Sequence, residues 1–399
     1  MNPIVSKTFF YLILANALAF FGWVARNYLV NWWVLEKTNS TTMVGLVAAA
    51  PTLTSLIAAS FGGQLADKYS RKSIFLIIRC FSIVIFFLVA LVIHYDFYAI
   101  IIVIVCFLAM GVQGGIEVAA ARNLILDVAT FKFLTVGNSI LEFTNQILST
   151  AGPPLIAIFF TSIENTLIFF TMPAVHILST LFALLFFLSF KEDPVDPYSN
   201  NKNKSLMDGV KYAYNYTNIR VLIILTCTMF FWGITQPLIP KIARDVLNSG
   251  STGYAILLSC GAIGAMLGSI VLPLAPKIFR NSKAIFACIT IYSISLTLFA
   301  FSKSILISGA ILALGGFAHL MWFTVIIIML QTLPDKDHKG RVIGLFFTVI
   351  QLYGLGLIIG GFMGDRIGTT PTLIFAAISL VTVHLVCFAV SPKFRQLKS

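Results

Sequence analysis

The chain has 399 residues, of which 58% are hydrophobic and only 11% charged, with a formal net charge of +12 and a mean hydropathy of +0.94. So apolar a composition excludes a soluble globular enzyme, and at about 20 residues per crossing the length holds roughly a dozen membrane-spanning helices with no room for a separate catalytic domain. The positive charge reads as a topology signal and not as a nucleic-acid footprint.

Apolar runs at 8–34, 42–66, 74–94, 97–121, 136–160 and 165–190 are each long enough to cross a bilayer. Six more follow at 219–240, 253–275, 284–301, 304–330, 342–363 and 371–390, predicting twelve helices in two six-helix bundles. Their unbroken apolarity lacks the strict alternation of barrel strands. Ala15-Asn16-Ala17 faintly resembles a leader cleavage site, but the run continues through Val34 and reads as an uncleaved first helix. Lys and Arg concentrate in alternate connections, while the opposite ones hold only Lys37, Lys241, Arg244, Lys303 and Arg366. Basic residues are retained on the inner side, so both termini are expected in the cytoplasm.

One connection is longer than the rest. Residues 191–218, between bundles 1–190 and 219–399, carry Pro194, Pro197 and an Asn/Lys-rich stretch at 200–204. Ser205 followed three residues on by Asp208 matches a capping box, and Leu206, Val210, Ala213 and Tyr214 share a face. A short amphipathic helix on the cytoplasmic membrane surface is predicted there. The six cysteines lie inside predicted helices without a C-x-x-C pair, and the five histidines are scattered, so neither disulfide nor metal site is expected. Gly354-Leu-Gly356 lies within an apolar helix and is no dinucleotide site, and a phosphate-binding Gly-rich loop is missing from the sequence. No cofactor is expected, and an ion gradient is the expected energy source.

The connection after the second run reads Gly63-Gln-Leu65-Ala66-Asp67-Lys68-Tyr-Ser70-Arg71-Lys72, and Leu274-Ala275-Pro276-Lys277-Ile-Phe-Arg280 repeats part of it after the eighth. That repeat at one topological position indicates a duplicated unit. The first copy resembles the signature of the major facilitator superfamily, with Ser70 where Gly is usual. Within it, Gly209-Val-Lys-Tyr, Gly253-Tyr-Ala-Ile-Leu-Leu, Gly261-Ala-Ile-Gly264 and Gly340-Arg341-Val342 resemble the drug/proton antiporter group, which includes macrolide-efflux and enterobactin-type siderophore exporters. Gly152-Pro153 matches part of that group's fifth-helix motif. The resemblance implies a cytoplasmic gate in which Asp67 caps a helix or pairs with Arg71 and Arg122, with Gly63 and Arg341 in the same latch.

Ionisable residues at membrane depth are costly and therefore mark candidate sites. Glu142, with Gln146 at i+4 and Asn145 beside it, forms a polar stripe expected to face the bundle interior, and is the first candidate for proton coupling. Glu117 is the second, an ion pair with Arg122 being the simpler reading, and His319 the third. Asn16, Phe20, Trp23 and Asn27 follow at i+3 and i+4 with Arg26 alongside, a stripe suited to line a cavity and meet an anionic group or pair with Glu36 or Glu142. Trp232 and Gln236, His319 and Trp322, and Gln351 would form a matching wall. Gly261, Gly264 and Gly268 in the eighth run, and Gly356, Gly360 and Gly364 in the eleventh, give small-residue faces at i+3 and i+4 spacing and predict close helix packing.

The expected function is proton-coupled export of an amphiphilic small molecule, a siderophore first, by alternating access. Siderophore uptake, macrolide-like drug efflux, lysophospholipid transport, and a non-transporting receptor or scaffold are the alternatives. The expected partners are the small-molecule substrate, protons and the lipid bilayer, without nucleic acid, for a monomer spanning a bacterial inner membrane many times.

Overall fold

A computed structural model describes residues 6–162, 166–190, 206–275, 281–335 and 338–395. Within those ranges the side chains of 59–68 and of most residues between 118 and 139 lie outside the description. Every extended element among the described residues is helical, as hydrocarbon demands, since each backbone N–H and C=O must be satisfied within its own segment. The chain divides into two compact units, one of 1–37 with 47–199, the other of 38–46 with 200–399.

The first unit holds α1 (Lys7–Thr38), α2 (Thr41–Lys68), α3 (Arg71–Tyr95), α4 (Ala99–Ser162) and α5 (Thr171–Ser189), the last entered through a tighter turn at Leu167–Phe170. Ser70 caps α3, its side chain accepting from the Ser73 N–H with φ −54°, so this position needs no glycine. Lys72 donates to the Phe190 carbonyl at 2.8 Å and holds the end of α5 against the start of α3. Phe9, Leu12, Phe75, Leu124, Val128 and Phe186 form the apolar core at this end.

The sequence predicts a connection between the fourth and fifth runs, and there the backbone keeps helical turns throughout, from Ala99 to Ser162. The segment nonetheless doubles back. Glu117 reaches Asn16 of α1 through Arg79, and Gly152 abuts Val24, eight residues further along α1. In a straight helix residues 117 and 152 would stand about 50 Å apart, against about 12 Å along α1. Neither Gly nor Pro falls between Gly115 and Gly137, and an Ala- and Leu-bearing stretch there keeps high helix propensity through the reversal.

The second unit holds α6 (Leu206–Asn215), α7 (Thr217–Val246), α8 (Gly250–Leu274), α9 (Ser282–Phe301), α10 (Ile305–Thr332), α11 (Lys339–Arg366) and α12 (Thr369–Val390), with a last turn at Pro392–Arg395. Two helices are interrupted. In α7 the Thr228 N–H bonds back only three residues, to Leu225 O at 3.1 Å, and in α11 the Gln351 N–H does the same to Thr348 O at 3.2 Å. Beyond Gln236 α7 tightens, then loosens into a π turn at Ile242–Val246, because Pro237 and Pro240 lack the N–H that regular helix needs.

Glycine seams join the helices as their spacing predicts. A Cβ on Gly264 would lie 1.8 Å from the Ala313 carbonyl of α10, and one on Gly360 would lie 2.1 Å from the Ile234 carbonyl of α7. Such backbone contact supplies the van der Waals packing that replaces hydrophobic drive between helices in lipid.

Eleven helical segments among the described residues are long and apolar enough to cross a membrane. The run at 136–160 is not among them, because Glu142, Asn145, Gln146 and the Pro153-Pro154 pair dilute its apolarity. Large apolar side chains such as Ile77, Leu188 and Leu306 stand exposed on the helix flanks, as surfaces in contact with lipid tails do.

Helix α6 covers the residues where the sequence places a short amphipathic helix, and its two sides differ in burial. Tyr212 and Ala213 enter the second unit's core and Gly209 packs on the Arg341 backbone, while Val210 and Tyr214 stay exposed. The cause is Tyr212: its hydroxyl donates to Asp335 at 3.0 Å and its ring stacks on His338 at 4.1 Å, which turns that side of the helix inward.

Candidate functional site

The first unit gathers a polar cluster inside apolar surroundings. Arg79, eight residues into α3, is 3% exposed and pairs with Glu117 of α4 at 2.7 Å. It also donates to Asn16 Oδ1 of α1 at 3.2 Å, and Asn16 is itself oriented by donating to the Leu12 carbonyl at 2.8 Å. The Phe75 ring lies 4.8 Å from the guanidinium. Nearby, Gln113 of α4 donates to Ser82 of α3. The carboxylate, the amide and the ring together replace the water that the guanidinium has lost.

Arg26 is buried beside this cluster, donating twice to Asn27 Oδ1, at 2.8 and 3.3 Å, and lying 5.1 Å from the Phe107 ring centroid. The α1 stripe therefore splits: Trp23 is exposed, Asn16, Phe20 and Asn27 are half-buried, and Arg26 turns inward. His176 of α5 stacks on Phe86 at 4.3 Å and fills the space that Gly22 leaves open.

Glu117 meets Arg79, where the sequence suggests Arg122; the Arg122 side chain lies outside the described residues, as do those at Gly63 and Asp67. Arg71 is half-buried at the start of α3. Glu142, expected to face the bundle interior, is exposed, while Asn145 and Gln146 are half-buried.

The second unit builds an aromatic enclosure around His319 of α10. Trp232 of α7 stacks on the imidazole at 4.8 Å, Tyr292 of α9 lies at 5.3 Å and Phe323, one turn along α10, at 6.0 Å. Tyr353 of α11 also packs on Trp232, at 4.7 Å. Gln236 donates to Thr235 at 3.3 Å and extends the polar edge of this group, and Gln351 sits at the interruption of α11. Trp322, read from sequence as part of the wall, is instead 1% exposed and packed edge-on behind His319. The i+3 spacing places it on the adjoining face of α10, toward the core, so it supports the wall without lining it. Tyr292 and Tyr353 escape sequence reasoning because helical spacing within one segment carries no information on which helices meet.

At the Arg341 end of α11, Arg341 Nη1 lies 3.7 Å from Asp208 of α6. The gate residue expected from the family resemblance thus binds the linker helix within its own unit.

A family profile described as Major Facilitator Superfamily matches residues 12–354. The sequence is 20% identical over 388 residues to a staphyloferrin A transporter of Staphylococcus aureus, covering 96% of each chain. It is 22% identical over 379 residues to the multidrug efflux pump Tap of Mycolicibacterium fortuitum, covering 92% of this chain and 91% of that one. Among solved structures it is similar to a bacterial homologue of the human lysosomal transporter Spinster in an inward-facing, unoccupied state, with a TM-score of 0.78, 13% identity, and coverage of 100% of this chain and 99% of that one. The nucleoside transporter NupG gives a TM-score of 0.75 at 14% identity, over 96% of this chain and 99% of that one. Likenesses at that level of identity speak to fold alone.

Proposed function

Because this chain belongs to the Major Facilitator Superfamily, it is a membrane transport protein and not an enzyme, and we propose that it exports an amphiphilic small molecule, a siderophore or drug, against protons by alternating access. In this reading the run at 136–160 is the twelfth crossing, both termini are cytoplasmic, and a monomer works in a bacterial inner membrane. The distribution of Lys and Arg supports the topology. Full-length similarity to a siderophore transporter and a multidrug pump supports the substrate class.

The observation that carries proton coupling is the pair of Glu117 with the buried Arg79. A proton on Glu117 removes the charge that holds Arg79, so protonation and rearrangement of α3 against α4 are linked. This geometry moves Glu117 ahead of Glu142 as the coupling acid. In the second unit the aromatic enclosure with Trp232, His319 and Tyr353 offers stacking faces that tolerate varied ring systems, with Gln236 and Gln351 as polar groups to orient them; in the first unit Asn16, Trp23, Arg26, Asn27 and Gln146 are the substrate-contact candidates.

Purified protein in liposomes, loaded with candidate compounds and given an imposed proton gradient, tests this. Glu117→Gln should abolish gradient-driven flux while leaving substrate exchange at equal pH intact. Unchanged flux in Glu117→Gln together with lost flux in Glu142→Gln would return the coupling role to Glu142, and flux with the gradient reversed would make the protein an importer.

A further inference from the structure

A single residue, Tyr216, separates α6 from α7, whose membrane-spanning stretch begins at Thr217. The extended backbone of Tyr216, with φ −104° and ψ 105°, carries α6 off the α7 axis. The inner side of α6 then packs where α10 gives way to α11: Gly209 lies on the Arg341 backbone, and Tyr212 meets Asp335 and His338. Helix α10 ends at Thr332 and α11 begins at Lys339, and both are long and apolar enough to span. The ends of three spanning segments therefore flank α6, at the level where hydrocarbon gives way to water.

The side of α6 turned away from this contact carries Val210, Lys211 and Tyr214, all exposed, Tyr214 to 69%. Lys211 and Tyr214 stand one turn apart and share a face. Arg220, one turn into α7, reaches back to the same place. Its Nη1 donates to the Tyr214 carbonyl at 3.3 Å, and its guanidinium carbon lies 5.5 Å from the centroid of the Tyr214 ring. The guanidinium is thereby held at the surface with donors to spare. The nearby carboxylates are engaged elsewhere, Asp208 beside Arg341 at 3.7 Å and Asp335 accepting from Tyr212 at 3.0 Å. Among the described residues, neither Lys211 nor Arg220 has a carboxylate partner.

We propose that Lys211, Tyr214 and Arg220 form a binding site for the headgroup of an anionic phospholipid. Val210 and the Tyr214 ring enter the boundary layer, and the two cations take the lipid's negative charge. Two unneutralised cations beside an apolar residue and a tyrosine fit a molecule that is anionic at one end and apolar at the other, and at this level the bilayer supplies it. Bound there, the lipid fastens the linker helix to the leaflet at the start of α7. The site is independent of what the protein carries and in which direction.

The test uses the full chain purified in a non-ionic detergent and titrated with dioctanoyl phosphatidylglycerol or dioctanoyl phosphatidylcholine, the fraction carrying lipid being counted by native mass spectrometry. One basic residue near an anionic surface is worth about fivefold in affinity, so two should give phosphatidylglycerol a preference of at least about tenfold. Lys211→Gln and Arg220→Gln should each lower phosphatidylglycerol binding about fivefold and leave phosphatidylcholine binding as it was. Lys303→Gln, at an exposed cation between α9 and α10, should change neither. Equal affinity of the parent for the two lipids would overturn the proposal, and so would a loss in Lys303→Gln as large as in Arg220→Gln, the mark of general charge attraction. Inorganic phosphate displacing phosphatidylglycerol at equal concentration would show a free-anion site and overturn it too. Should Arg220→Gln loosen α6, seen as faster hydrogen exchange over 206–215, Lys211→Gln, whose side chain makes none of the contacts that hold the helix, decides alone.

Discussion

Replacing Glu117 tests the polar cluster most directly, because Arg79 is then left at 3% exposure with Asn16 as its remaining described hydrogen-bond acceptor. In soluble proteins, removing one partner of a buried ion pair costs about 3–5 kcal/mol. Two features of this site reduce that figure. The Glu117 side chain keeps 21% of its area exposed, and polar contacts inside membrane proteins average about 0.6 kcal/mol and reach about 1.7, since the unfolded chain in lipid also finds partners. Glu117→Ala is therefore expected to cost about 2 kcal/mol and Glu117→Gln, whose carbonyl still accepts from the guanidinium, about 1 kcal/mol. Removing both charges with Arg79→Leu and Glu117→Leu should cost less than Glu117→Ala alone, because no unpaired cation remains. Equilibrium unfolding in mixed micelles, followed by tryptophan fluorescence over a denaturing-detergent titration, gives the four free energies of the cycle. If the double variant loses as much as the two single variants added together, the groups are not coupled and the site has been misread.

Three further substitutions address the second unit. Gly360→Ala drives a methyl into the Ile234 backbone and should lower stability by about 1–3 kcal/mol, whereas Gly344→Ala, on the same helix with open space around it, should be neutral in the same titration; equal effects would show that the seam is not tightly packed. Tyr212→Phe removes the hydroxyl that donates to Asp335 and accepts from its N–H at 3.1 Å, and should cost about 1 kcal/mol. It should also speed proteolysis around α6, and an unaltered cleavage rate would mean the helix is held by its ring contacts alone.

Segments whose signal is local were legible in the sequence. Of the twelve apolar runs, eleven fall in segments among the described residues that are long and apolar enough to span, and i+4 glycine spacing anticipates the seams at Gly264 and Gly360. Features that depend on which helices meet were not. Arg79 is visible as an intramembrane charge, but its partner lies on α4 and its second acceptor on α1, a combination that no spacing along one helix encodes. Which side of α6 meets the second unit was not legible, because hydropathy ranks Val210 and Tyr214 as well as it does Tyr212, while Tyr212 is the one that meets Asp335 and His338. The reversal near Lys132 carries basic residues that mark a connection, yet it lacks the Gly or Pro that would end a helix, so polarity and backbone preference disagree there.

The interruptions at Thr228 and Gln351 fall at nearly the same height on two helices that run side by side in the same direction. Just beyond them the glycine seam begins, with Gly233 against the Tyr353 carbonyl and Gly356 against the Phe230 carbonyl. Bending concentrates where an i to i−4 bond is already missing, while backbone in contact with backbone resists it. The pair therefore works as a stiff strut with a crease at its foot: force applied at the Arg341 end folds the two helices together at one level, and arrives at the Asp365 end as a tilt of the whole strut.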